Sequence, residues 1–177
     1  MNKQTSVLLL FALLGLSQCR KKDPDPADQL PPATQTGANT FGCLVNGQVW
    51  TPKGNNGTSN YSVNYDPTFR NGILNVSAYR YNSNDANDLQ YIVLYSDSLK
   101  TPGGYTMKSS GHQEGLFHDF KTGCDYSGHG RNYCRGTLTI TRLDAQAGIV
   151  SGTFAFTLYK AGCDSLRVTQ GRFDKKL

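Results

Sequence analysis

No apolar run in this sequence is long enough to persist as a transmembrane helix. The longest, residues 7–16, is about ten residues where a bilayer crossing takes about 20. Past residue 19 no stretch carries a helical apolar periodicity of useful length. There is no Cys-x-x-Cys pair, which disfavours a structural zinc site. A G-x-S-x-G elbow, a paired-carboxylate motif and a His-Glu-x-x-His are all missing, so the chain is expected to be non-catalytic and to need no cofactor. Lys and Arg adjoin one another only at residues 20–22 and 175–176, both terminal. With a net charge of only +5, no basic patch interleaved with aromatics is visible, and no nucleic-acid partner is expected.

What is present begins with an address. Lys3 precedes the short apolar run, the pattern of a secretory signal. The run ends in Leu16-Ser17-Gln18-Cys19, which resembles the bacterial lipobox, with Gln18 where a small residue is usual. That resemblance implies removal of residues 1–18 as a signal peptide and acylation of Cys19. Each buried acyl CH₂ contributes about 0.8 kcal/mol, so several chains hold stably where one does not. The expected location is the bacterial outer membrane, lipid-anchored, facing periplasm or cell surface. Residues 19–40 are rich in Pro, Asp and Thr and are expected to form a disordered linker.

Four cysteines follow Cys19: Cys43, Cys124, Cys134 and Cys163. An even number in an exported chain points to two disulfides. Four cysteines allow three connectivities. Cys124 and Cys134 flank one loop, so a local bridge between them is expected, leaving Cys43 with Cys163.

Residues 41–177 read as a single all-β domain. Asn46-Gly47 between apolar pieces is a strong hairpin signal, because both turn positions need positive φ. Trp50, the single tryptophan, closes that hairpin and is expected to pack in the core rather than stack on a ligand. Residues 61–65, 73–81, 89–95 and 103–107 are further strand candidates, with 89–95 the most apolar. Near the C-terminus Leu138 and Ile140 alternate with threonines, and Phe154, Phe156 and Leu158 share one face. Short strands separated by turn signals predict an antiparallel β-sandwich or partly closed barrel.

Residues 108–133 differ, being rich in Gly, Ser, His and Asp. Only 116–120 reads as strand, and Gly115 is expected to interrupt it. All three histidines, His112, His118 and His129, fall here with Asp119 and Asp125. Any metal or catalytic site would lie in this loop. An enzyme would need two of the histidines to converge on Asp119 or Asp125; the default is a disulfide-pinned surface loop.

Phe41-Gly42-Cys43-Leu44-Val45-Asn46-Gly47-Gln48-Val49-Trp50, Val150-Ser151-Gly152-Thr153-Phe154-Ala155-Phe156 and Gly171-Arg172-Phe173-Asp174 resemble a group of uncharacterised Bacteroidota lipoproteins. The resemblance implies an all-β exported lipoprotein and no particular activity. Asp97-Ser98-Leu99 and Asp164-Ser165-Leu166 also resemble the short O-glycosylation motif of that group. The function expected is a binding module for a glycan or protein partner. The alternatives are a structural subunit of an outer-membrane complex and a hydrolase using the His-rich loop. A binding module predicts that exposed tyrosines, of the ten in the chain, or the tryptophan line one concave face.

Overall fold

A computed structural model of the chain describes residues 24–126 and 133–177; Cys19 and His129 lie outside them. Among the described residues the strands are β1 (Thr40–Val45), β2 (Gln48–Trp50), β3 (Tyr61–Asp66), β4 (Ile73–Tyr81), β5 (Leu89–Ser96), β6 (Gly103–Lys108), β7 (Gln113–Asp119), β8 (Cys124–Asp125), β9 (Tyr133–Asp144), β10 (Ile149–Tyr159) and β11 (Leu166–Lys176). They form two antiparallel sheets, ordered β2-β1-β11-β10-β9-β6 and β3-β4-β5-β7-β8. The sheets pack face to face as a sandwich and do not close into a barrel.

The period-two alternation explains the core. Leu138 and Ile140, Phe154, Phe156 and Leu158, and Leu166 and Val168 point inward from the six-stranded sheet. They meet Leu74, Val76 and Ala78, Ile92 and Leu94, and Phe117 from the other. The most apolar run is central strand β5, whose Ile92 and Leu94 are fully buried. Asn46 and Gly47 turn the β1–β2 hairpin at φ 50° and 81°. Trp50 is 2% exposed, lies edge-on to Phe41 at 5.8 Å between centroids, and donates its indole N–H to Gln90 Oε1 at 3.0 Å. It is a core residue.

Three expectations are corrected. First, β7 runs unbroken through Gly115. Gly115 pairs with Leu94 on the buried face, and the Phe156 ring of the opposite sheet lies on it. A Cβ there would stand 2.8 Å from that ring, so the glycine admits a neighbour and does not turn the chain.

Second, the segment expected to be a disordered linker is docked before residue 40. A 3₁₀ turn over Pro26–Gln29 leads to Leu30, which is 7% exposed, and Pro31 packs on Gly42 of β1. Asp174 of β11 then clamps the strap that follows. Its carboxylate accepts from the Thr34 hydroxyl (2.6 Å) and from the amides of Thr36 (2.9 Å), Gly37 (2.9 Å) and Ala38 (3.0 Å). The Ser151 hydroxyl of β10 donates from the other side at 2.7 Å. Burial pushes this carboxyl up, but the donors of Thr34, Ser151, Ala38 and Gly37 outweigh burial and hold it well below the usual carboxylate range.

Third, the observed disulfide joins Cys124 to Cys163, with Cα atoms 6.0 Å apart, and Cys124 does not pair with Cys134. Cys124 sits on edge strand β8 beside the β10–β11 turn that carries Cys163, so the bridge staples one sheet to the other. Cys134 faces inward from β9, near enough for the Gly115 amide to reach its sulfur at 3.5 Å. Cys43 and Cys134 are buried free thiols; burial pushes Cys43 well up and Cys134 up.

Candidate functional site: the open face of the five-stranded sheet

The residues that alternate with the core in β4, β5 and β7 lie on one outward face, and cross-strand register arranges them in rows. Tyr79, Tyr91 and His118 form one row, Ser77, Val93 and Leu116 the next, and Asn75, Tyr95 and Glu114 the third. The first row is aromatic. Tyr79 meets Tyr81 at 6.0 Å and Tyr91 at 5.6 Å between centroids; Tyr91 meets Phe120 at 5.9 Å, and Phe120 stacks on His118 at 3.9 Å with parallel planes. Loop 53–60 folds over one end, where the Tyr79 hydroxyl bonds Asn56 Oδ1 and the Thr58 carbonyl, both at 2.8 Å. Tyr91 and His118 are half-buried and Phe120 is 47% exposed, so the other end stays open.

The second row is an apolar floor. The third opens into a cavity of about 480 Å³ lined by Arg70, Asn75, Val93, Tyr95, Asp97, Glu114 and Leu116, with Ser110 and Gly111 at its rim. Arg70 (φ 47°) and Asn71 (φ 60°) turn the chain into β4 and place the guanidinium at this wall. The face thus runs from stacked rings, across Val93 and Leu116, to a polar cavity holding a guanidinium, a carboxamide and two carboxylates.

The structure separates His112 from His118; His129 lies outside the described residues. His112 Nδ1 is bonded to Asp97 at the cavity rim. His118 lies at the other end of β7, stacked on Phe120 with Nδ1 3.8 Å from Asp125. At about 3.3 Å per residue, that end is roughly 20 Å away. His112 and His118 therefore share no carboxylate. Asp119 is committed to structure: it accepts from Gln90 Nε2 (2.9 Å) and from the amides of Lys121 (3.0 Å) and Thr122 (3.2 Å), capping the turn after β7. Among the described residues no group of three or more His, Cys, Asp or Glu is placed to hold a metal ion.

Sequence reasoning missed Tyr79, Tyr91, Phe120, Arg70 and Asn75 as members of one surface. The available signal was alternation: Tyr79 and Tyr91 occupy positions out of phase with Ala78 and Ile92, which marks them as outward-facing. No family model, curated protein or solved structure matches the chain.

Proposed function

We propose that this chain is an exported, lipid-tethered binding module that holds a saccharide along the open face of its five-stranded sheet. The observation that carries the reading is the three-row face itself. Aromatic rings offer large, rigid contact to the apolar faces of sugar rings. A few convergent polar groups beside them fix the orientation of hydroxyls. Here Tyr91, His118 and Phe120 supply the rings, and Arg70, Asn75, Asp97 and Glu114 supply the polar end. An extended peptide is a poorer fit, because strand addition takes a sheet edge and this is a sheet face. The tether rests on the Leu16-Ser17-Gln18-Cys19 pattern. A disulfide between Cys124 and Cys163 supports export, since such bonds persist in oxidising compartments.

The test is a saccharide array probed with the detergent-solubilised full chain, followed by calorimetric titration of the best binder. Tyr91→Ala and Phe120→Ala are each expected to weaken binding about tenfold or more, equivalent to about 1.4 kcal/mol. Failure of every saccharide, or variants that bind like the parent, would refute the reading.

A further inference from the structure

The outward face of the other sheet carries a different chemistry. Lys108 of β6 is the register partner of Arg135 of β9; Arg135 is opposite Thr157 of β10, and Thr157 is opposite Arg167 of β11. Lys108, Arg135 and Arg167 are all exposed. They make a cationic row across four adjacent strands, which at about 4.8 Å per strand spans roughly 14 Å. Residues 103–108, 133–139, 153–159 and 166–172, which build this face, contain no Asp or Glu. Among the described residues none of the three cations makes an ion pair.

Like charges set directly opposite one another across strands destabilise a sheet, and here no carboxylate offsets the cost. Beside the row, threonines 137, 139, 153 and 169 line a cavity of about 590 Å³ that Arg172 closes at one wall. On the row's other side Tyr133 and Tyr159, register partners, are 48% and 51% exposed.

We infer that this face binds an acidic polysaccharide, with the Lys108–Arg135–Arg167 row pairing its carboxylate or sulfate groups. Charge complementarity selects a polyanion. The flanking hydroxyls and tyrosine rings match sugar hydroxyls and ring faces. A lipid surface is a weaker match, because the row is bordered by threonines and tyrosines, and among the described residues no exposed Phe or Leu that could enter a membrane lies in the strand segments that build it. The inference stands apart from the aromatic face, which lies on the opposite sheet.

The experiment measures binding of dextran sulfate and polygalacturonate to the detergent-solubilised full chain across a salt series. Neutral dextran, a single-stranded oligonucleotide and phosphatidylglycerol vesicles serve as comparators. The triple variant Lys108→Gln, Arg135→Gln, Arg167→Gln is expected to weaken dextran sulfate binding about tenfold or more and to flatten its salt dependence. The triple variant Lys53→Gln, Lys100→Gln, Lys176→Gln, which removes equal charge from exposed positions elsewhere, is expected to change it by less than about twofold. The cationic-row variant should also melt no lower than the parent, since it relieves like-charge repulsion. The inference is overturned if the two triple variants weaken binding equally, if neither acidic polysaccharide binds at low salt, or if oligonucleotide or vesicles bind more tightly than both.

Discussion

Asp174→Asn keeps the shape of a buried side chain and removes its charge, so it isolates what clamps the N-terminal strap. Asp174 is 1% exposed. Oδ2 faces the amides of Thr36 and Ala38 and the Thr34 hydroxyl, while Oδ1 faces the Gly37 amide and the Ser151 hydroxyl. A carboxamide must place its NH₂ at one of these positions. The Oδ1 position costs least, because the Ser151 hydroxyl can rotate to accept, but the Gly37 amide then loses its acceptor. Leaving a buried donor unsatisfied costs about 1–3 kcal/mol, and the surviving bonds lose their charge assistance. The expected loss is about 2–4 kcal/mol of urea-unfolding stability. Amide exchange at residues 36–38 should accelerate before global unfolding. The pH dependence has a definite sign. The folded carboxyl lies below its unfolded value, so its contribution is complete above the ordinary carboxylate range and is lost as pH falls through and below it. Protection of residues 36–38 should therefore decline on acidification in the parent and be less pH-dependent in Asp174→Asn. A variant within about 0.5 kcal/mol of the parent, with unchanged exchange at residues 36–38, would refute the clamp, since that is the range of neutral surface changes.

Four further outcomes are expected. Peptide mapping under non-reducing conditions should recover Cys124 linked to Cys163, and Cys124→Ser with Cys163→Ser should cost up to about 4 kcal/mol, the loop-entropy value for a separation of 39 residues. A thiol reagent should leave Cys43 and Cys134 unmodified in the folded chain and label both on denaturation, because burial keeps both thiols protonated. Gly115→Ala should destabilise by about 1–3 kcal/mol through overpacking against Phe156, read by thermal melting; a neutral result would mean that the ring does not rest there. Intact mass of the membrane-extracted chain should correspond to a start at Cys19 bearing acyl groups, and an unprocessed Met1 start would end the lipoprotein reading.

Period-two alternation made most strands legible: the β1–β2 hairpin, β4, β5 and the C-terminal β9–β11 meander can be read from residue order alone. What was not legible depended on contacts between distant segments. Gly115 looks like a breaker until the Phe156 ring from the other sheet is seen resting on it. The strap residues look solvent-loving because their acceptor, Asp174, lies at the opposite end of the chain. The disulfide was misassigned by proximity in sequence, although Cys134 keeps phase with Leu138 and Ile140 and so faces the core, away from any loop bridge. Both candidate surfaces share this limit. Lys108, Arg135 and Arg167 are scattered in sequence and make no basic cluster there; only strand register lines them up. The histidines were found but not their separation, because His112 and His118 reach opposite ends of one strand.

The most direct test of a saccharide-binding face is a hydrogen-exchange footprint of the full chain with the tightest-binding neutral saccharide. Bound ligand should slow exchange in peptides covering residues 79–81, 91–97 and 114–120, the aromatic row through the cavity at Asp97, and leave residues 133–139 and 153–159 unchanged. Protection confined to those last two stretches, or no change on the five-stranded sheet at saturating ligand, would contradict the account.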